Sequence, residues 1–149
     1  YGARATWHLY ANERDKPRRE KLLTLLGKQN VIVLGGHIHR YNTLTRKTPG
    51  GGRFTQLAFS SVIKGADIKP ATELHGIASY NGDQISVEPR FSPETAAERR
   101  AVYAAEAPFV KTFEYADLPG HAVVTVDGEN VRVTMHSGIT REVWKTAEL

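Results

Sequence analysis

Two histidines separated by one isoleucine, His37 and His39, follow a pair of glycines, Gly35 and Gly36, at the end of the apolar run "VIVL" (31–34). On an extended chain, residues i and i+2 point to the same side, so both imidazoles are available to one site. Neutral imidazole binds several first-row transition metals. Glycines ahead of the pair remove side-chain bulk and let the backbone turn sharply or come close to a bound group. The pattern reads as half of a metal site. The chain contains no cysteine, so thiolate centres and disulfide scaffolds are excluded, and a metal must be held by His, carboxylate or amide groups. Four further residues are candidates. His8 lies in "RATWHLY"; Arg40 and Asn42 directly follow the pair and are polar candidates for substrate contact; His75 in "TELHGIA" borders a cleft or a loop surface. His121 precedes a strand, and His136 falls on a polar hairpin face that reads as ordinary solvent exposure. Trp7 and Trp144 read as packing residues.

These side chains need elements to hold them. Residues 4–10 read as a strand or extended segment. A helix is expected over about 16–27, with Asp15 or Lys16 as cap and Pro17 in its first turn. Leu22, Leu23, Leu25 and Leu26 form its apolar stripe, and Gly27 is its stop. Its basic residues Lys16, Arg18, Arg19 and Lys21 read as a solvated face. "NVIVL" (30–34) is continuous and β-branched, which predicts a fully buried strand. Helix, tight turn and buried strand are the grammar of an α/β layer structure, and the exits of such strands are where these sheets place ligands. Beyond the histidine pair, "YNTLTRK" and "RFTQLAFSSVI" flank the turn "TPGGG" as a hairpin-like pair. Residues 64–83 are irregular, and 64–80 are the candidate for a cleft loop. "DQISVEP" reads as a short strand. Ser92-Pro93-Glu94 starts a helix over about 93–106, interrupted by Pro108. Asp127-Gly128 sits between alternating runs and predicts a hairpin over 122–136, with Val131, Val133 and Met135 on one face.

The 149 residues suit one domain, 40% hydrophobic and 24% charged, with a net charge of +4. That excess helps attract phosphate-bearing substrates but does not indicate nucleic acid. No apolar run approaches the roughly 18–20 residues that cross a bilayer, so no membrane association is expected. No signal peptide pattern is visible either.

The stretch "GGHIHRYN" resembles the C-terminal metal-binding motif of the calcineurin-like metallophosphoesterases, in which a buried strand ends in Gly-His-x-His, here Gly36-His37-Ile38-His39. The hairpin, the irregular stretch and the late "VDGENV" turn also resemble that family's plan. The resemblance implies an α/β (α+β) chain, 1–149 as one segment, forming the C-terminal half of a four-layer αββα sandwich. That half has two main helices and is β-rich after the motif. It implies two metal ions (Mn, Fe, Zn or Ni), with His37 on one and His39 on the other, acting on a phosphate-ester substrate. His8 fits the spacing of a further ligand, although Leu9-Tyr10 replace the proline that usually follows.

The family's earlier motifs, Asp-x-His, Gly-Asp and Gly-Asn-His-Glu or Asp, do not precede the pair here; Gly82-Asp83 comes after it and lies in a turn. The resemblance therefore implies that the remaining ligands belong to an N-terminal half of the same protein, and that the isolated chain is inactive. By analogy it also leans toward an exported bacterial enzyme. Two other readings stand beside it. One is an amidohydrolase-type barrel, which also uses His-x-His but should continue as repeated strand–helix units. The other is a non-enzymatic β-rich binding module in which the pair is incidental.

Overall fold

The structure, a computed structural model, describes residues 13–36, 41–58, 73–81, 96–116, 120–139 and 142–149. These residues form two α-helices, a four-stranded sheet and a three-stranded sheet. The helices are α1 (Lys16–Lys28) and α2 (Ala96–Glu106). The strands are β1 (Ile32–Gly35), β2 (Tyr41–Lys47), β3 (Arg53–Ala58), β4 (Val110–Ala116), β5 (Gly120–Asp127), β6 (Asn130–Ser137) and β7 (Val143–Glu148). The chain is thus mixed α/β and β-rich after β1. Among the described residues no helix is long and apolar enough to cross a membrane. The expected extended segment 4–10 and the strand "DQISVEP" lie outside the described residues.

Helix α1 begins with Pro17 in its first turn, as expected. Asp15 makes no capping hydrogen bond there and instead lies 3.6 Å from Arg18. The stop differs from the expected one. Asn30 takes the left-handed conformation (φ 48°), its N–H donates to the Gly27 carbonyl and the Val31 N–H donates to that of Leu26. This is a Schellman ending with asparagine in the position glycine usually fills. Gly27 serves close packing instead. A Cβ on it would overlap the Thr48 side chain, and one on Gly52 would overlap the Gly27 carbonyl. The β2–β3 turn lies flush against the last turn of α1.

The leucine stripe is narrower than expected, since Leu23 is buried while Leu22 and Leu25 are 45% and 54% exposed. Four leucines at these positions span about 160° at 100° per residue, and one layer of contact does not cover that arc.

The larger sheet has the order β1-β3-β2-β4. Strand β1 runs parallel to β3, from Ile32↔Thr55 to Gly35↔Ala58, and the other pairs are antiparallel. The expected hairpin is present as β2–β3, with its turn closed by a 2.8 Å bond from Thr48 N–H to the Gly52 carbonyl. Strand β1 is not fully buried. It is the border strand of the described sheet and Leu34 is 54% exposed, because an apolar run shows hydrophobicity but not the number of neighbours.

Within 64–83, His75 pairs with Tyr115 of β4 through two backbone bonds (2.8 and 2.9 Å), and Ile77–Ser79 form a single 3-10 turn. Helix α2 is described from Ala96, the expected start at 92–95 lying outside the described residues; Pro108 falls in the short 3-10 turn Ala107–Phe109 that leads into β4.

The smaller sheet has the order β5-β6-β7. Its hairpin pairs Asp127 with Asn130, so the two-residue loop is Gly128-Glu129, one residue later than expected. Gly128 carries φ 60°, which glycine adopts without a Cβ clash. Alternation along each strand divides the molecule into layers. Leu44, Val110, Phe113 and Tyr115 form one cluster on the larger sheet, and Tyr80 joins it by packing on both Phe113 and Tyr103 of α2. On the opposite face Tyr41, Leu57 and Ala116 meet Val133 and Met135 of the smaller sheet. Trp144 packs edge-on to Tyr41 at 5.2 Å, as a packing residue should. The described layers therefore run helix, four-stranded sheet, three-stranded sheet.

Candidate functional site

Of the residues singled out for chemistry, His8, His37, His39 and Arg40 lie outside the described residues. Their flanks are described. Strand β1 ends at Gly35, beside the end of β3 at Ala58, and β2 begins at Tyr41 on the other side of β3. Gly36 and Tyr41 thus bring the motif's two ends to the rim where the parallel strands β1 and β3 finish, the end at which α/β sheets place ligands. Among the described residues nothing lies within 4 Å of a Cβ on either Gly35 or Gly36. Crowding by the described residues therefore does not require them.

One transverse row of the sheet starts at this rim. Gly35 pairs with Ala58, Ala58 with Asn42, Asn42 with Tyr115, and Tyr115 with His75. At about 4.8 Å per strand, Asn42 is about 10 Å from Gly35 and His75 about 19 Å. Asn42 is fully buried, its Nδ2 donates to the Glu114 carbonyl at 3.1 Å, and its Oδ1 has no hydrogen-bond partner among the described residues. A buried acceptor left unmade costs free energy, and such an atom beside a candidate site calls for an explanation. His75 stands at the opposite border of the row. Its ring packs on Tyr115 (centroids 5.5 Å apart) and its Nδ1 is 3.7 Å from the exposed Glu73 carboxylate. The sheet therefore places Asn42 near the motif and His75 away from its first strand.

Three residues that sequence reasoning left unassigned reinforce the strand that leaves the motif. The Tyr41 hydroxyl donates to Glu114 Oε2 at 2.9 Å, and Lys145 Nζ lies 2.8 Å from Glu114 Oε1. Burial, with help from the adjacent Glu114 carboxylate, pushes the Tyr41 phenol well above its ordinary range. It stays a protonated donor at all ordinary pH values. This relay ties β2 to β4 and β4 to β7, which clamps the two sheets together next to the motif.

Beside the clamp the sheets part into an open cleft of about 1200 Å³, bordered by Thr43, Thr45, Thr55, Thr112, Glu148 and the clamp residues Glu114 and Lys145. Ile77, from the stretch expected to contribute to a cleft, also lines it. Thr45 and Thr55 hydroxyls bond to each other at 2.9 Å on its floor.

On the helix side, Arg46 Nη2 and Glu106 Oε2 form a buried pair at 2.7 Å, with the Phe109 ring 5.2 Å from the guanidinium. Burial raises the Glu106 carboxyl above its usual range, although Arg46 and Arg19 pull the other way. Among the described residues no group of three or more His, Cys, Asp or Glu side chains is placed to hold a metal.

No protein-family model, no curated protein and no solved structure matches this chain.

Proposed function

We propose that this chain is the C-terminal segment of a dinuclear metallophosphoesterase, with His37 on one ion and His39 on the other. The observation that carries the reading is the connection of α1, β1 and Gly36. A helix turns through Asn30 into a strand parallel to β3, and that strand ends at Gly35, just ahead of the histidine pair in sequence, at the rim where β1 and β3 finish. The helix, sheet and sheet layering of the described residues agrees with three layers of an αββα sandwich. The antiparallel β2–β3 hairpin that follows weighs against a barrel of repeated parallel units.

The residues present fit part of such a centre. Imidazole suits Mn, Fe, Zn and Ni alike, and the ring nitrogen not bound to the ion is available to an orienting acceptor. The ions, when bound, supply Lewis acidity at the phosphoryl group. The chain's own share is positional. The Tyr41–Glu114–Lys145 relay fixes the strand that follows the two histidines in sequence. The net charge of +4 favours an anionic ester. The bridging aspartate and remaining ligands belong to the N-terminal half of the same protein. His8 is the one further candidate ligand within the chain.

The test is hydrolysis of p-nitrophenyl phosphate and its bis ester by the isolated chain and by a polypeptide that adds the segment encoded ahead of Tyr1. The longer protein should be active with divalent metal and lose at least 100-fold activity, by analogy with ligand loss elsewhere, in His37→Ala or His39→Ala. The isolated chain should be inactive. Hydrolysis by the isolated chain, or activity of the longer protein that ignores both substitutions, refutes the proposal.

A further inference from the structure

We infer that the β5–β6 hairpin carries a second transition-metal site, built from His121 and His136 and separate from the histidine pair at 37 and 39. The two residues are direct cross-strand partners. Their rings stack with centroids 4.8 Å apart and planes inclined by 8°. Strand alternation turns Val133 and Met135 inward to the core, so both imidazoles leave the sheet on its outer face.

The tautomer of one ring is fixed. His121 Nδ1 lies 3.2 Å from the Gly138 carbonyl oxygen, which only accepts, so this nitrogen carries the proton and donates. The lone pair is then on Nε2, at the outer tip of the ring. A metal-binding histidine is commonly oriented in this way, with one nitrogen donating to a backbone carbonyl and the other facing the ion. His136, when neutral, also carries one lone-pair nitrogen. Two nitrogens on one tetrahedral ion at Zn–N distances sit about 3.3 Å apart. A tilt of the stacked rings toward each other closes the gap from 4.8 Å.

The surroundings are unlike those of an ordinary solvated face. Val123 is two residues along from His121 and 51% exposed; Val143 pairs opposite His136 and is 58% exposed. An apolar rim around imidazole donors lowers the local dielectric and limits competition from water. Gly120, just before His121, cannot carry a side chain, because a Cβ would overlap the His136 carbonyl. That close approach, together with the register shift after Met135, sets the local geometry at the pair. The ligand class follows from the donors. Two imidazoles without thiolate favour Zn, Ni or Cu(II) over Mg or Ca, with solvent filling the remaining positions.

The test uses the chain carrying His37→Ala and His39→Ala, so that its outcome is independent of the proposal for the motif. Calorimetric titration with Zn²⁺, and separately Ni²⁺, near neutral pH is expected to give one ion per chain. Adding His121→Gln or His136→Gln should abolish it, with circular dichroism of each variant confirming the fold. Without any hairpin substitution, Zn²⁺ should shift the ring nitrogen resonances of His121 and His136 together, and acidification should release the ion as the imidazoles protonate. No binding by the starting chain, binding that survives either hairpin substitution, or ring resonances that do not respond would each overturn the assignment.

Discussion

Single side chains decide more here than their number suggests. Glu106 is held above its ordinary pKa by burial, so between that ordinary value and the raised one the folded chain binds more protons than the unfolded chain. Its contribution to stability therefore falls as pH rises across that interval. Urea unfolding at a series of pH values should show this slope in the wild type and not in Glu106→Gln; parallel curves would refute it. Arg46→Ala removes the partner that faces the buried carboxylate at 2.7 Å and should cost about 3–5 kcal/mol at neutral pH. Tyr41→Phe deletes a hydrogen bond to an ionised group and should cost about 1.5–3 kcal/mol, with the fold retained. These contacts were not legible in the sequence. Tyr41 and Glu114 are 73 residues apart, and Glu114 and Lys145 are 31 apart. No local pattern links residues so widely separated, whereas His37 and His39 announce themselves by spacing alone.

At the scale of elements, local chemistry was informative wherever a turn residue met an alternating run. Both hairpins, β2–β3 and β5–β6, were legible for that reason, although the loop Gly128-Glu129 falls one residue beyond the expected dipeptide. Strands β4 and β7 were not anticipated. "VKTFEYA" starts directly after a 3-10 turn, and the Ser137-Gly138 signal between β6 and β7 was passed over because "VWKTAE" after it lacks clear alternation. The helix stop at Asn30 was missed because Gly27 is the stronger signal in sequence, and its true constraint is contact with Thr48. That contact makes a prediction. Gly52→Ala places a methyl on the Gly27 backbone carbonyl, which cannot swing aside as a side chain would. It should lower stability by about 1–3 kcal/mol in denaturant titration, the range of overpacked sites. Wild-type stability in this variant would mean that the turn does not pack against α1 so closely.

Over the whole molecule, the helix–turn–strand order at the start and the hairpin signals after it made a mixed α/β chain legible, while the pairing of one sheet against the other depends on long-range contacts. The two sheets share a core at one end, where Tyr41, Leu57 and Ala116 meet Val133, Met135 and Trp144. Trp144→Ala removes the indole that edges onto Tyr41 and should cost about 3–5 kcal/mol, measured by chemical unfolding. The rest of the interface is a threonine-floored gap of about 1200 Å³.

A joint fastened at one end behaves as a hinge. The spread of its open end is governed by the fastening, so distance from Tyr41 sets how freely each position breathes. Among the β4 amides that bond to β2, hydrogen exchange should be slower toward Ala116 than toward Thr112, and anything seated among the threonines would tighten the far lip more than the near one.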